Sequence, residues 1–120
     1  MRPSNELVLN AVAVSDTNAY PSQWIPASQI AWASVQAITS GSNPNGTLKI
    51  QFSNDNPTVG DPQALTTLNV SDVTNATVST TNNGVYAVQK AEICANWIRV
   101  IYTNASGSGV ISARLQTTGN

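Results

Sequence analysis

Residues 96–117, NWIRVIYTNASGSGVISARLQT, carry the clearest pattern in this chain. Two stretches in which apolar and polar residues alternate lie on either side of a segment rich in Asn, Ser and Gly. Such alternation is typical of half-buried β-strands, and Asn and Gly favour tight turns. The stretch therefore predicts a β-hairpin, with strands over residues 97–103 and 110–117 and a turn over residues 104–109. Its inward-facing residues are predicted to be Ile98, Val100, Tyr102, Ile111, Ala113 and Leu115.

Alternation also dominates the rest of the chain. Residues 29–39 contain the helix formers Ala and Gln, but their alternation and their β-branched residues favour a strand. Within residues 47–53, Leu48, Ile50 and Phe52 are predicted to point inward. Strands are predicted over residues 6–14, 29–39, 47–53, 64–70, 73–80 and 85–88, and turns or loops over residues 40–46, 54–62 and 82–84.

Together these segments give about eight short strands with turn signals every 8 to 12 residues, a spacing typical of β-sandwiches and barrels. The predicted fold class is all-β, a jelly-roll-like antiparallel β-sandwich. No change of composition divides the chain, so one domain over residues 1–120 is predicted, with residues 1–5 as a flexible N-terminal arm.

The surface is expected to be polar but nearly uncharged. Only 9% of residues are charged, against about 25% in an average soluble protein, and Ser, Thr and Asn supply 40 of the 120 residues. A net charge of −1 without a basic patch argues against nucleic-acid binding. No apolar run approaches the roughly 20 residues that span a bilayer, and the first residues lack a secretory signal pattern, so folding in a cytoplasm is expected.

Catalytic and metal-binding patterns are missing from the sequence. The chain has no histidine and one cysteine, which excludes Ser-His-Asp and Cys-His sites and makes zinc binding improbable. No enzyme activity and no cofactor are therefore expected. Cys94, in the run EICANWI, is predicted to be a buried thiol, with an intermolecular disulfide or a reactive thiol as the alternatives. Asp55 and Asp61 lie in SNDNPTVGD, which lacks the Gly and closing Glu of a calcium loop and is better explained as a turn.

Two surface features are candidates for binding. If Ile98, Val100 and Tyr102 face the core, the other side of that strand carries Trp97, Arg99 and Ile101. Trp and Arg are enriched at interface hot spots, so these three residues are a candidate subunit interface. Cover by a loop of the same chain is the equally weighted alternative. Trp24, in the Pro-flanked segment YPSQWIP, is the candidate exposed aromatic residue for a carbohydrate ligand, although packing within the protein is favoured over ligand contact for the aromatic residues.

Two stretches of the chain resemble a known class of proteins. GTLKIQFSNDNP (residues 46–57) and GVYAVQKAEICANWIRVIYTNASGSGVISARLQTTG (residues 84–119) are similar to small β-sandwich virion proteins of tailed bacteriophages. The resemblance implies a jelly-roll-like fold, no catalytic residues and a place on the capsid surface as a homotrimeric decoration (cement) protein that binds the major capsid protein. A carbohydrate-binding or host-adhesion module of a head fibre or tail is the main alternative, and a tail or baseplate subunit is a third.

Overall fold

The computed structural model describes residues 4–55 and 69–119, and these ranges form antiparallel β-structure without an α-helix. The all-β fold class is therefore confirmed. The seven strands are β1 (Ser4–Val14), β2 (Ala19–Pro21), β3 (Ile25–Pro26), β4 (Trp32–Ser53), β5 (Ser71–Thr80), β6 (Gly84–Glu92) and β7 (Trp97–Thr118).

Strands β4 and β7 form the centre of the sheet. Each is 22 residues long, and they pair from Trp32 opposite Thr118 to Ser53 opposite Trp97. Strands β1, β2 and β3 pair with the free side of β7, and β5 and β6 pair with the free side of β4. A flat strand of 22 residues would measure about 70 Å. The longest dimension of the molecule is 39 Å, so both central strands bend back.

The bend, here called the corner, comprises residues 41–46 of β4 and residues 104–109 of β7, which lie opposite each other. The register shifts on both sides of Asn45, and positive φ angles occur at Gly41, Asn43, Gly107 and Gly109. The strands continue through this region without reversing. The corner divides the sheet into half I (β1, β6 and residues 32–40 and 110–118) and half II (β2, β3, β5 and residues 47–53 and 97–103).

The predicted C-terminal hairpin is therefore wrong, and so is the predicted turn over residues 40–46. Asn43, Gly41, Gly107 and Gly109 have positive φ angles, as expected for residues of a turn, whereas Asn45, Gly46 and Asn104 do not. Because both central strands carry such residues at positions opposite each other, the two paired strands bend together and neither reverses its direction. Residues 97–103 and 110–117 thus belong to one strand that passes from half II to half I.

Side chains from both halves meet in a single core, which makes the structure a β-sandwich. The predicted inward alternation is confirmed for β7 and for Leu48 and Ile50, whereas Phe52 is only half-buried. At the end far from the corner, the connecting segments close the sandwich through backbone hydrogen bonds. The Ala27 amide donates to Asn96 and the Ala31 amide to Thr118.

Two further links between the halves lie at the corner, whereas the β3–β4 and β6–β7 links cross at the far end. The β1–β2 link contains Asp16, and the β5–β6 link contains Asn82, both with positive φ. The second link confirms the predicted turn over residues 82–84. The predicted strand over residues 64–70 lies mostly outside the described residues. Ser4 and Asn5 pair with β7 and are not part of a flexible arm, which corrects that prediction for these two residues.

A buried hydrogen-bond network joins the four crossings at the corner. Asn104 is 1% exposed, and its Nδ2 donates to the carbonyl oxygens of Asp16 at 2.7 Å and Gly107 at 2.9 Å. Tyr102 donates its hydroxyl to Asn104 Oδ1 at 2.9 Å. Burial raises the pKa of Tyr102, which keeps this donor protonated. Thr80 lies 3.4 Å from the Tyr102 hydroxyl and accepts from the Gly46 amide.

Candidate functional site

The predicted subunit interface lies on the outer face of half II. Arg99 is 8% exposed, whereas Trp97 and Ile101 are half-buried. The Arg99 guanidinium lies 4.6 Å from the centre of the Trp24 ring, and its Nε donates to Gln51 Oε1 at 3.0 Å. The chain itself thus covers the central residue of this face, which was the alternative to subunit contact. Contact of Trp97 and Ile101 with another subunit stays a prediction.

Trp24 is 5% exposed, so its prediction as an exposed aromatic residue is wrong. Pro21 ends β2 and Pro26 ends β3, and both short strands pair with β7. The segment between them therefore lies across the sheet, and the Trp24 ring packs on Arg99. Burial of the guanidinium lowers the pKa of Arg99 from its ordinary value, and the facing ring offers a favourable contact for the cation.

Polar contacts continue from Arg99 across half II to its edge. Gln51 Nε2 donates to Asp72 Oδ1 at 3.0 Å, and Lys49 Nζ lies 3.0 Å from Asp72 Oδ2. The hydrogen bond from Gln51, followed by that from Lys49, lowers the pKa of the Asp72 carboxyl from its ordinary value of 3.8. These contacts join β7, β4 and β5 on the outer face of half II.

Replacing Asp72 with asparagine is expected to lower the free energy of unfolding at pH 7 by less than about 1 kcal/mol, because the pair is partly exposed and screened. The folded-state pKa lies below 3.8, so this contribution is complete above 3.8 and is lost as the pH falls through the folded value. Urea unfolding of wild type and of Asp72→Asn, at pH 7 and at pH 2, measures how much of this contribution is lost. Asp16→Asn is the control, and a difference between Asp72→Asn and wild type that is unchanged at pH 2 would contradict the assignment.

The outer face of half I, here called the apolar face, differs sharply from that of half II. Among the described residues, all the exposed large hydrophobic side chains lie on it. Ile38 is 57% exposed and Val85, directly opposite on β6, is 60% exposed. Ile38, Val85 and Val110 lie near one another, and adjoining exposed hydrophobic residues on a sheet face are characteristic of a binding surface. Trp32 lies about 20 Å from Ile38 along β4, and Leu7 lies on β1 beyond Arg114. The exposed large hydrophobic residues of the apolar face are Leu7, Trp32, Ile38, Val85 and Val110.

Arg114 is the charged residue near the middle of the apolar face. It stands opposite Gln36 on β4 and Leu7 on β1, and its Nη1 donates to Asn5 Oδ1 at 3.3 Å. Uncharged side chains, including Ser112, surround Ile38 on this face. Lys90 and Glu92 lie at the far end of the face beside Trp32, so the region around Ile38 carries little charge, a feature that favours contact with another protein surface.

The edges of the sheet are unsuited to adding a further strand. Strand β1 has two register irregularities and a positive φ at Ala11. Strand β5 has one irregularity, with a positive φ at Asn75, and the pairing of β6 is shifted between Ala33 and Val35. Bulges of this kind protect edges from strand pairing between molecules. Association through a face is therefore favoured over association through an edge.

A cleft of about 480 Å³ opens between the edges of β5 and β6 at the end far from the corner. Its wall includes Trp32, Asn75, Glu92 and Cys94, and Lys90 Nζ lies 4.5 Å from the centre of the Trp32 ring. Cys94 is exposed, which corrects its predicted burial. The reason is local, since its neighbour Ile93 occupies the core position and Cys94 points the other way.

Within residues 4–55 and 69–119, no cluster of three or more His, Cys, Asp or Glu side chains could hold a metal ion. The calcium loop considered above continues into residues outside these ranges, where Asp61 lies. A search of the same ranges finds no helix with the length and hydrophobicity needed to cross a membrane.

No protein-family model and no curated protein matches this chain. The crystal structure of the PBSX exported protein XepA aligns with 98% of the chain at a TM-score of 0.72 and 17% identity. The chain spans 37% of XepA. PirA aligns over 97% of this chain and 93% of its own, at a TM-score of 0.56 and 12% identity. At these identities the comparisons show a shared fold, so the chain is an all-β sandwich of the kind found in XepA and PirA.

Proposed function

We propose that this chain is a structural protein of a bacteriophage virion that acts by binding other protein subunits and catalyses no reaction. The observation that carries the proposal is the apolar face, where Ile38 and Val85 are more than half exposed on a rigid sheet. A surface of this kind fits a protein that is covered in an assembly. The sequence resemblance over residues 46–57 and 84–119 supports phage particles as the assembly.

The finer proposal is that the chain decorates the capsid surface, self-associates and binds the major capsid protein. Its mechanism would be mechanical, because contact area shared between neighbouring subunits opposes their separation under the pressure of packaged DNA. The architecture supports this role. The continuous central ladder of β4 and β7 and the hydrogen-bonded corner give the molecule a rigid frame on which a docking face keeps its shape.

Particles made from a genome with an early stop codon in this gene are expected to contain every other virion protein and to release DNA at a lower temperature than wild-type particles. Mass spectrometry of purified virions and a thermal release assay with a DNA-binding dye measure both results. Expression of the chain from a plasmid is the control and should restore stability. Absence of the chain from wild-type virions would refute the proposal, and its presence without any effect on release would refute the stabilising role.

A second candidate function is carbohydrate binding in host adhesion, favoured by the cleft beside Trp32. The 40% exposed indole stands near Asn75 and Glu92, side chains suited to hydrogen bonding with sugar hydroxyls. The Lys90 ammonium group already lies over the Trp32 ring, which limits the stacking of a sugar on that ring. A glycan array with wild type and Trp32→Ala tests this function. Binding that the substitution abolishes would support it, and an array without any binding would exclude it for the glycans tested.

A further inference from the structure

We infer that the apolar face is covered by the same face of a second copy of this chain, in a dimer with a twofold axis close to Ile38. The inference deepens the proposed function, because it rests on the self-association included there. It assigns the contact to half I, whereas the sequence had placed the candidate interface on Trp97, Arg99 and Ile101 of half II.

The distribution of hydrophobic residues leads to the twofold arrangement. An exposed apolar surface is best covered by another apolar surface. In the described part of the chain, the exposed large hydrophobic residues are confined to the apolar face. Within residues 4–55 and 69–119, a second copy therefore offers one matching surface, which is this face itself. A contact between identical faces is isologous and closes as a dimer, the commonest oligomer of soluble proteins.

The charge nearest the proposed axis is compatible with this arrangement, and Lys90 and Glu92 lie farther away, at the Trp32 end of the face. Ile38 pairs with Ser112, and Arg114 lies two residues further along the same strand. With strands about 4.8 Å apart and about 3.3 Å per residue, Arg114 lies about 8 Å from Ile38. An axis through Ile38 would separate the two copies of Arg114 by about 16 Å, twice the screening length of about 8 Å at physiological salt. Repulsion between the two cations is therefore weak.

The size of the face predicts a reversible dimer. Four strands of about nine residues give a flat area of about 500 Å² for each copy. Two copies together bury about 1,000 Å², which is below the range of stable protein interfaces and near the minimum for a weak biological one. The bulged edges of β1, β5 and β6 disfavour the competing route of strand addition. Dilution is accordingly expected to dissociate the dimer.

Light scattering with size-exclusion chromatography, over a range of protein concentrations, tests the inference. Wild type is expected to reach twice the 12.6 kDa mass of one chain as concentration rises. Ile38→Asp places two carboxylates at the axis and should raise the dissociation constant by at least about 100-fold. Thr77→Asp adds the same charge at an exposed position of half II and should leave the mass unchanged. Val85→Asp is a second variant of the face, in case Ile38→Asp folds poorly.

Three results would overturn the inference: a wild type that stays monomeric up to millimolar concentration, a trimer, or an oligomer that both face variants leave intact. The stop-codon experiment on particles is independent of these results. A monomeric chain whose loss destabilises virions would refute the dimer and leave the virion function standing. A dimer that is absent from virions would refute the virion function and leave the dimer standing.

Discussion

Replacing Asn104 with alanine is expected to lower the free energy of unfolding by about 3 to 4 kcal/mol. The side chain supplies two donors and one acceptor at the corner, where Asn104 is 1% exposed and Tyr102 is fully buried, whereas Asp16 and Gly107 are exposed residues. Its loss leaves the Tyr102 hydroxyl and the carbonyl oxygens of Asp16 and Gly107 without their partner. Chemical denaturation followed by tryptophan fluorescence measures the change.

Two controls separate hydrogen bonding from packing at this position. Asn18→Ala removes an exposed hydrogen bond to the Ser15 carbonyl and should cost about 0.5 kcal/mol or less. Asn104→Asp keeps the volume but turns a carboxylate toward two carbonyl oxygens, so it should destabilise at least as strongly as alanine. Equal and small losses for Asn104→Ala and Asn18→Ala would show that the network does not hold the corner.

Gly41→Ala is expected to destabilise the protein by about 3 kcal/mol or more. Gly41 has a φ of +115°, a conformation that residues with a side chain rarely adopt, and it stands directly opposite Gly109 on β7. A Cβ atom on Gly41 would lie 2.6 Å from the Gly109 Cα and 3.2 Å from the Ser108 carbonyl oxygen. Both of these atoms belong to the backbone, so the clash can be avoided only if the two central strands move apart at the corner.

Gly84→Ala provides a matched control within the same chain. A Cβ atom there would meet the Tyr86 side chain at 3.4 Å, and Gly84 is not among the positive-φ residues. Both substitutions restrict the unfolded chain equally, so the difference in unfolding midpoint reports the close approach of the strands. We expect Gly84→Ala to be neutral or to stabilise by up to about 1 kcal/mol. Similar effects of the two substitutions would contradict a tightly packed corner.

The sequence predicted the fold class and the inward residues well because both depend on local period. Alternation along β7 identifies Ile98, Val100 and Tyr102 as core residues whatever their partner is, and all three are fully buried. Whether residues 104–109 reverse the chain or bend it is a different kind of question. The answer depends on residues 41–46, which carry the matching irregularity on the opposing strand, and a local pattern does not include that strand.

Long-range contacts also explain the errors at the candidate site. Trp24 is buried because its ring packs against Arg99, which is distant in the sequence and lies on β7. Part of the apolar face was nevertheless visible in the sequence. Ile38 and Val85 stand on the side of their strands opposite the core residues, and two large hydrophobic residues at such outward positions signal a contact surface. The register that brings them together appears only in the folded sheet.

The central place of β7 also affects when the molecule can fold during synthesis. Strands β1, β2 and β3 find their ladder partners on β7, and β4 has β7 along its whole length. A ribosome therefore releases β1, β2 and β3 long before their partner is made, whereas β4 can already pair with β5 and β6. The sandwich is expected to close only when residues 97–118 emerge, in a late and cooperative step, as in proteins rich in distant pairings.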